Sequence, residues 1–111
     1  MLRSWRARVA VVGRSMAPTL LPGDWLLVDS EAFRERLPGV GELVLVPDPR
    51  EPRRLLVKRV VGVDQLGWLL VGGDDPAAST DSRAFGALDP AVVEGRPWFR
   101  YWPASRMGRV R

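Results

Sequence analysis

The chain has 111 residues, 46% hydrophobic and 27% charged, with a formal net charge of +4. That length and composition suit one compact globular domain, spanning residues 1–111, and exclude a disordered chain. There is no cysteine and no histidine. Their absence removes thiol nucleophiles, disulfides, thiolate metal sites, Ser-His-Asp catalysis and the common zinc centres, so no metal or cofactor is expected. No apolar run approaches the ~18–20 residues of a membrane-spanning helix. The segment Met1–Arg8 lacks the apolar stretch of a secretory signal peptide. The expected location is therefore the cytoplasm or the periphery of a membrane.

Ten prolines and eleven glycines cut the chain into short pieces, which favours an all-β reading. Arg8–Val12 predicts a first strand, stopped at Gly13. Asp24–Asp29 predicts a second, entered through the turn Leu21-Pro22-Gly23-Asp24. Ser30–Leu37 predicts one or two helical turns, with Ser30 as N-cap and Pro38-Gly39 as terminator. Glu42–Val46 is a third strand, closed by Pro47-Asp48-Pro49. Leu55–Val63 and Gly67–Val71 are the fourth and fifth, joined by a tight connection at Asp64-Gln65-Leu66. Asp74–Gly86 is an ordered polar loop. Asp89–Glu94 is a short helix with Pro90 at its first position, and Trp98–Trp102 is a last strand. The fold class is mainly β, a small strongly bent antiparallel sheet or partly closed barrel with one or two short helices. Trp68, Trp25, Trp98 and Trp102 are expected in the core.

The basic residues comprise sixteen arginines and one lysine, Lys58. The arginines look scattered, with modest clusters at the termini and no nucleic-acid motif, so no nucleic-acid partner is expected. Arginine keeps its proton at ordinary pH, whereas a buried lysine can lose one. Strand alternation puts Leu56, Lys58 and Val60 on one face, and Leu55, Val57, Arg59 and Val61 on the other. Two readings of Lys58 stand at this point. Its head reaches water along an apolar strand, or burial lowers its pKa from the ordinary ~10.4 and makes it a base for a serine hydroxyl. Ser15 follows the first strand and precedes the Pro18 turn. Alone, it reads as a turn residue. The polar side chains of the 74–86 loop read as turn-closing groups, with Asp81 and Arg83 as a local ion pair.

Taken in order, these pieces form a pattern: Gly13-x-Ser15-Met16-x-Pro18-Thr19-Leu20, Gly23-Asp24-x-Leu26-Leu27-Val28, Lys58-Arg59-Val60-Val61-Gly62, Gly73-Asp74, and Ser79-x-Asp81-Ser82-Arg83-x-Phe85-Gly86. The pattern resembles the type I signal peptidase family. The resemblance implies a serine endopeptidase with Ser15 as nucleophile and Lys58 as general base. It makes Ser79 the hydroxyl that orients the lysine amine, and Asp81 and Arg83 the residues that brace the site. It assigns the oxyanion to the backbone N–H of Ser15. Some members add a serine hydroxyl where this chain has Gly13, and Asp75 stands where the family has Asn.

The substrate implied is a precursor protein or peptide bound as an extended strand, with small residues beside the cut. In the family an apolar surface near the site dips into the bilayer. Trp5, among terminal arginines, is the expected point of peripheral membrane contact. The short length, the Gly67-Trp68 segment and Arg100-Tyr101-Trp102-Pro103 also resemble anchorless relatives proposed to mature nickel-type superoxide dismutase. The competing functions are a self-cleaving Ser-Lys protease of the SOS-repressor type and a non-catalytic basic binding module.

Overall fold

A computed structural model describes residues 7–78 and 86–111. Among these residues seven strands run in chain order: β1 Ala7–Ala10, β2 Trp25–Asp29, β3 Leu43–Asp48, β4 Glu51–Val63, β5 Leu69–Gly72, β6 Arg96–Trp102 and β7 Gly108–Arg109. They form two antiparallel sheets, ordered β1-β2-β6-β7 and β3-β4-β5. The mainly-β expectation holds. Among the described residues it takes the form of two sheets rather than a closed barrel. The sheets are stitched where the Leu45 N–H donates to the Gly95 carbonyl (2.9 Å) and the Glu94 N–H donates to the Leu45 carbonyl (2.8 Å).

β3 explains how one short chain builds two cores. Its alternating side chains go to opposite faces. Val44 and Val46 join Val60, Leu69, Val71 and Leu88 on one side. Leu43 joins Met16, Leu20, Leu26 and Val110 on the other. The uninterrupted run Leu43–Val46 is thus buried on both faces, and polar alternation is absent for that reason.

Several elements differ from the sequence expectation. β4 begins at Glu51, not Leu55, because Asp48 closes a hairpin instead of ending the pairing: it accepts hydrogen bonds from the Arg50 N–H (2.9 Å) and guanidinium (3.1 Å). Ser30–Leu37 forms turns, not a helix. The Asp29 carboxylate, not Ser30, accepts from the Glu31 N–H. Leu37 is 65% exposed, so the segment lacks the buried apolar face that an eight-residue helix needs. The expected 89–94 helix is a single 3-10 turn, Pro90–Val92, capped by Asp89. A second lies at Ala104–Arg106.

The tryptophans are also placed differently. Trp25 and Trp68 are each 41% exposed and Trp102 is 56% exposed; Trp98 is half-buried. Trp68 precedes β5, so strand parity does not govern it. Trp25 falls on the face of β2 opposite the buried Leu26 and Val28. Trp5 lies outside the described residues. No helix among the described residues is long and apolar enough to cross a membrane.

The seam between the sheets has no spare room at Gly95. A Cβ there would lie 2.7 Å from both the Asp29 carbonyl oxygen and a Val28 methyl. Gly95→Ala should therefore cost about 1–3 kcal/mol, read as a lower urea midpoint at unchanged m-value; an unchanged midpoint would show that the seam is slack.

Candidate active site

The segment after β1 is pinned from below. Met16 and Leu20 are buried in the second core, and the Leu20 N–H donates to the Met16 carbonyl (2.9 Å). Gly13 has φ +83° with open space where a Cβ would be, so backbone conformation rather than crowding favours glycine there. These features hold Ser15, half-buried, at the mouth of a cleft.

Lys58 approaches the same cleft from β4. It is 2% exposed and pairs across the sheet with Val44. The inferred faces hold: Lys58 and Val60 are buried and Leu56 is half-buried, whereas Leu55 and Val61 are exposed. A lysine with its head in bulk water is thereby ruled out. Ser15, Lys58, Leu56 and Ala78 line one cleft of about 100 Å³. A second hollow of about 200 Å³ continues from Ser15 between Val9–Val12 and Arg54–Val57. Two strand edges that have no partner among the described residues face this region. β1 is the edge of its sheet, and β4 pairs with β5 only from Arg59 onward.

The loop after β5 completes the described part of the site. The Asp75 N–H donates to the Ser15 carbonyl (2.8 Å). Asp74 accepts from the Thr19 hydroxyl (2.6 Å) and from the Arg59 Nε (2.8 Å) and Nη2 (2.7 Å). Arg59 also donates to the Gly41 and Arg111 carbonyls. One carboxylate thus joins the Ser15 segment, the Lys58 strand and the 73–78 loop. The Arg59 guanidinium, helped by Thr19, holds the Asp74 carboxyl below its usual range against the opposing effect of burial. Beneath it, buried Asp24 accepts from the Leu21 N–H (2.9 Å), Arg100 (3.1 Å) and Arg106 (3.0 Å), fixing the far end of the segment. Ser79, Asp81 and Arg83 lie outside the described residues.

Residues 2–64 match the family described as signal peptidase, peptidase S26. The chain belongs to that family. It is a protease of the signal-peptidase type, and the match includes both Ser15 and Lys58. It is 36% identical to the mitochondrial ATP-independent inner membrane protease subunit 1a of Arabidopsis thaliana, covering 91% of this chain and 73% of that one. It is 28% identical to the human mitochondrial inner membrane protease subunit 1, over 89% and 71% of the two chains. With the zebrafish (Danio rerio) subunit 2, identity is 31% over 90% and 66%.

Sequence reasoning missed the Thr19–Asp74–Arg59 bridge, although all three residues sit in the motifs. It also missed the arginines beside the cleft. Arg14, Arg50 and Arg54 line it with Ser15 and Lys58; the run Arg50-Glu51-Pro52-Arg53-Arg54 was the signal for the last two, and the place of Arg14 beside Ser15 was the signal for the first.

The Asp74 bridge has a defined pH signature. Its depressed carboxyl adds stability that is complete above the unfolded value of ~3.9 and is lost as pH falls through the lower folded value. Asp74→Asn should be less stable by about 2 kcal/mol at pH 7. That gap should stay constant down to about pH 5 and close below about pH 4. Urea unfolding at several pH values measures it, and a gap that does not close in acid would contradict the assignment.

Proposed function

We propose that this peptidase cleaves an N-terminal leader or signal peptide from a precursor protein with a Ser15–Lys58 dyad. The observation that carries the reading is the buried Lys58 sharing a cleft with Ser15, in a chain with no histidine or cysteine to act instead. Burial among Val44, Leu56 and Val60 disfavours an ammonium and favours the neutral amine a base requires. Lys58 Nζ takes the proton from Ser15 Oγ, and Oγ attacks the scissile carbonyl carbon. The Ser15 backbone N–H donates to the resulting oxyanion. Lys58 then gives its proton to the departing amine as the C–N bond breaks. Water, deprotonated by Lys58, attacks the acyl ester and frees Ser15. By resemblance, Ser79 orients the amine, and Asp81 and Arg83 brace the loop.

The substrate lies extended between the open edges of β1 and β4, hydrogen-bonded through its backbone. The resemblance to nickel-type superoxide dismutase maturation proteases names a precursor of that enzyme as the first substrate to test. Peripheral membrane contact, first assigned to Trp5, is better supported by Trp25, Tyr101 and Trp102. Exposed Trp25 and Trp102 form an aromatic surface with half-buried Tyr101, and the Arg8 guanidinium lies 5.6 Å from the Tyr101 ring centre.

Ser15→Ala and Lys58→Met should each fold as well as the parent and cleave a leader peptide at least about a hundredfold more slowly. Methionine keeps a long unbranched side chain without supplying a base. Parental cleavage rates in Lys58→Met, with folding checked by circular dichroism, would overturn the mechanism.

A further inference from the structure

Three arginines, Arg14, Arg50 and Arg54, and no acidic side chain line the Ser15 cleft beside Lys58 among the described residues. Their surroundings differ. Lys58 is buried. Arg50 is held by Asp48, which accepts from its Nε and Nη2 (both 3.1 Å). Arg14 and Arg54 are exposed, and neither makes an ion pair among the described residues. Asp48 feels the Arg54 charge but gives its oxygens to Arg50.

Arg54 has a further property set by strand geometry. It lies on β4, four residues before Lys58 and two before Leu56, and lines the cleft together with both. It lines both the cleft at Ser15 and the longer hollow running along Val9–Val12. β4 rises about 3.3 Å per residue, which puts Arg54 roughly 13 Å along the strand from Lys58. An extended peptide on the open β4 edge has the same rise and the same alternation. One of its side chains, two to four residues from the bond at Ser15, must therefore come within reach of the long Arg54 side chain.

We infer that Arg54 is a specificity residue and that the preferred substrate carries an aspartate or glutamate two to four residues from the scissile bond. This rests on the leader-peptidase reading and deepens it. The apolar walls of the hollow accept small or apolar residues, and Arg54 sets which precursor is favoured through a charge pair at the rim. Such a pair is solvent-exposed, so its effect is modest and screened by salt.

The test is a panel of cleavable peptides, identical except for one Asp, Asn or Lys placed in turn at each of four positions on either side of the cut. With the parent enzyme at low salt, Asp at one position two to four residues from the cut should raise kcat/KM about two- to fivefold over Asn. That ratio should fall to about one in 0.5 M sodium chloride and in Arg54→Gln. In Arg54→Glu the preference should invert toward Lys at the same position. Equal rates for Asp and Asn at every position overturn the inference while leaving the peptidase reading intact. A preference that persists unchanged in Arg54→Gln overturns the role of Arg54. Failure of the folded parent enzyme to cleave any member overturns the peptidase reading and this inference with it.

Discussion

The site depends on one carboxylate. Asp74 binds Arg59 through two hydrogen bonds and Thr19 through a third, and those partners belong to segments far apart in the chain. Arg59 follows the candidate base, Thr19 lies four residues beyond the candidate nucleophile, and Asp74 itself follows β5. A charged fork against a planar carboxylate fixes angle as well as distance. The neighbouring Asp75 N–H then ties the same loop to the Ser15 carbonyl. Lys58 and Arg59 are adjacent, yet strand alternation sends them to opposite faces. One faces the cleft and the other braces it.

The hydrophobic cores supply the frame on which that bridge acts. β3 feeds both of them, so the Lys58 strand beside it is supported from two sides. Met16 and Leu20 anchor the Ser15 segment in one core, and Val44, which pairs with Lys58 across the sheet, and Val60, two residues on, belong to the other. Neither core is large, as expected for a domain of this size. Buried polar groups complete the frame: Asp24 with Arg100 and Arg106 at the foot of the nucleophile segment, and Asp48 with Arg50 at the β3–β4 hairpin. Each buried carboxylate has its partners, which is the condition for tolerating charge in the interior.

Much of this was legible in the sequence. The face assignment on β4 held because that strand alternates between a core and a more open side. Six expected strands overlap observed ones because glycine and proline punctuate the chain, but β4 and β6 begin earlier than expected and β7 was not foreseen. The failures have identifiable causes. Leu37 and Phe33 have helical spacing, but only Phe33 finds a core. The charged start of β4 carries no apolar alternation, so the strand looked shorter than it is. Exposed Trp25 and Trp102 face each other across β2 and β6 on a surface that composition alone could not distinguish from a core. The Asp74 bridge is tertiary, and its spacing of 55 residues from Thr19 leaves no periodic trace.

The central claim is that the buried lysine is a base. The chain contains one lysine, so protein labelled only in lysine with carbon-13 gives a single side-chain Cε signal. Following that signal against pH reports the Lys58 amine directly. The account predicts a titration midpoint well below the ~10.4 of an ordinary lysine, with the fold intact across the range. A midpoint at ~10.4 would mean an ammonium at working pH and would contradict it.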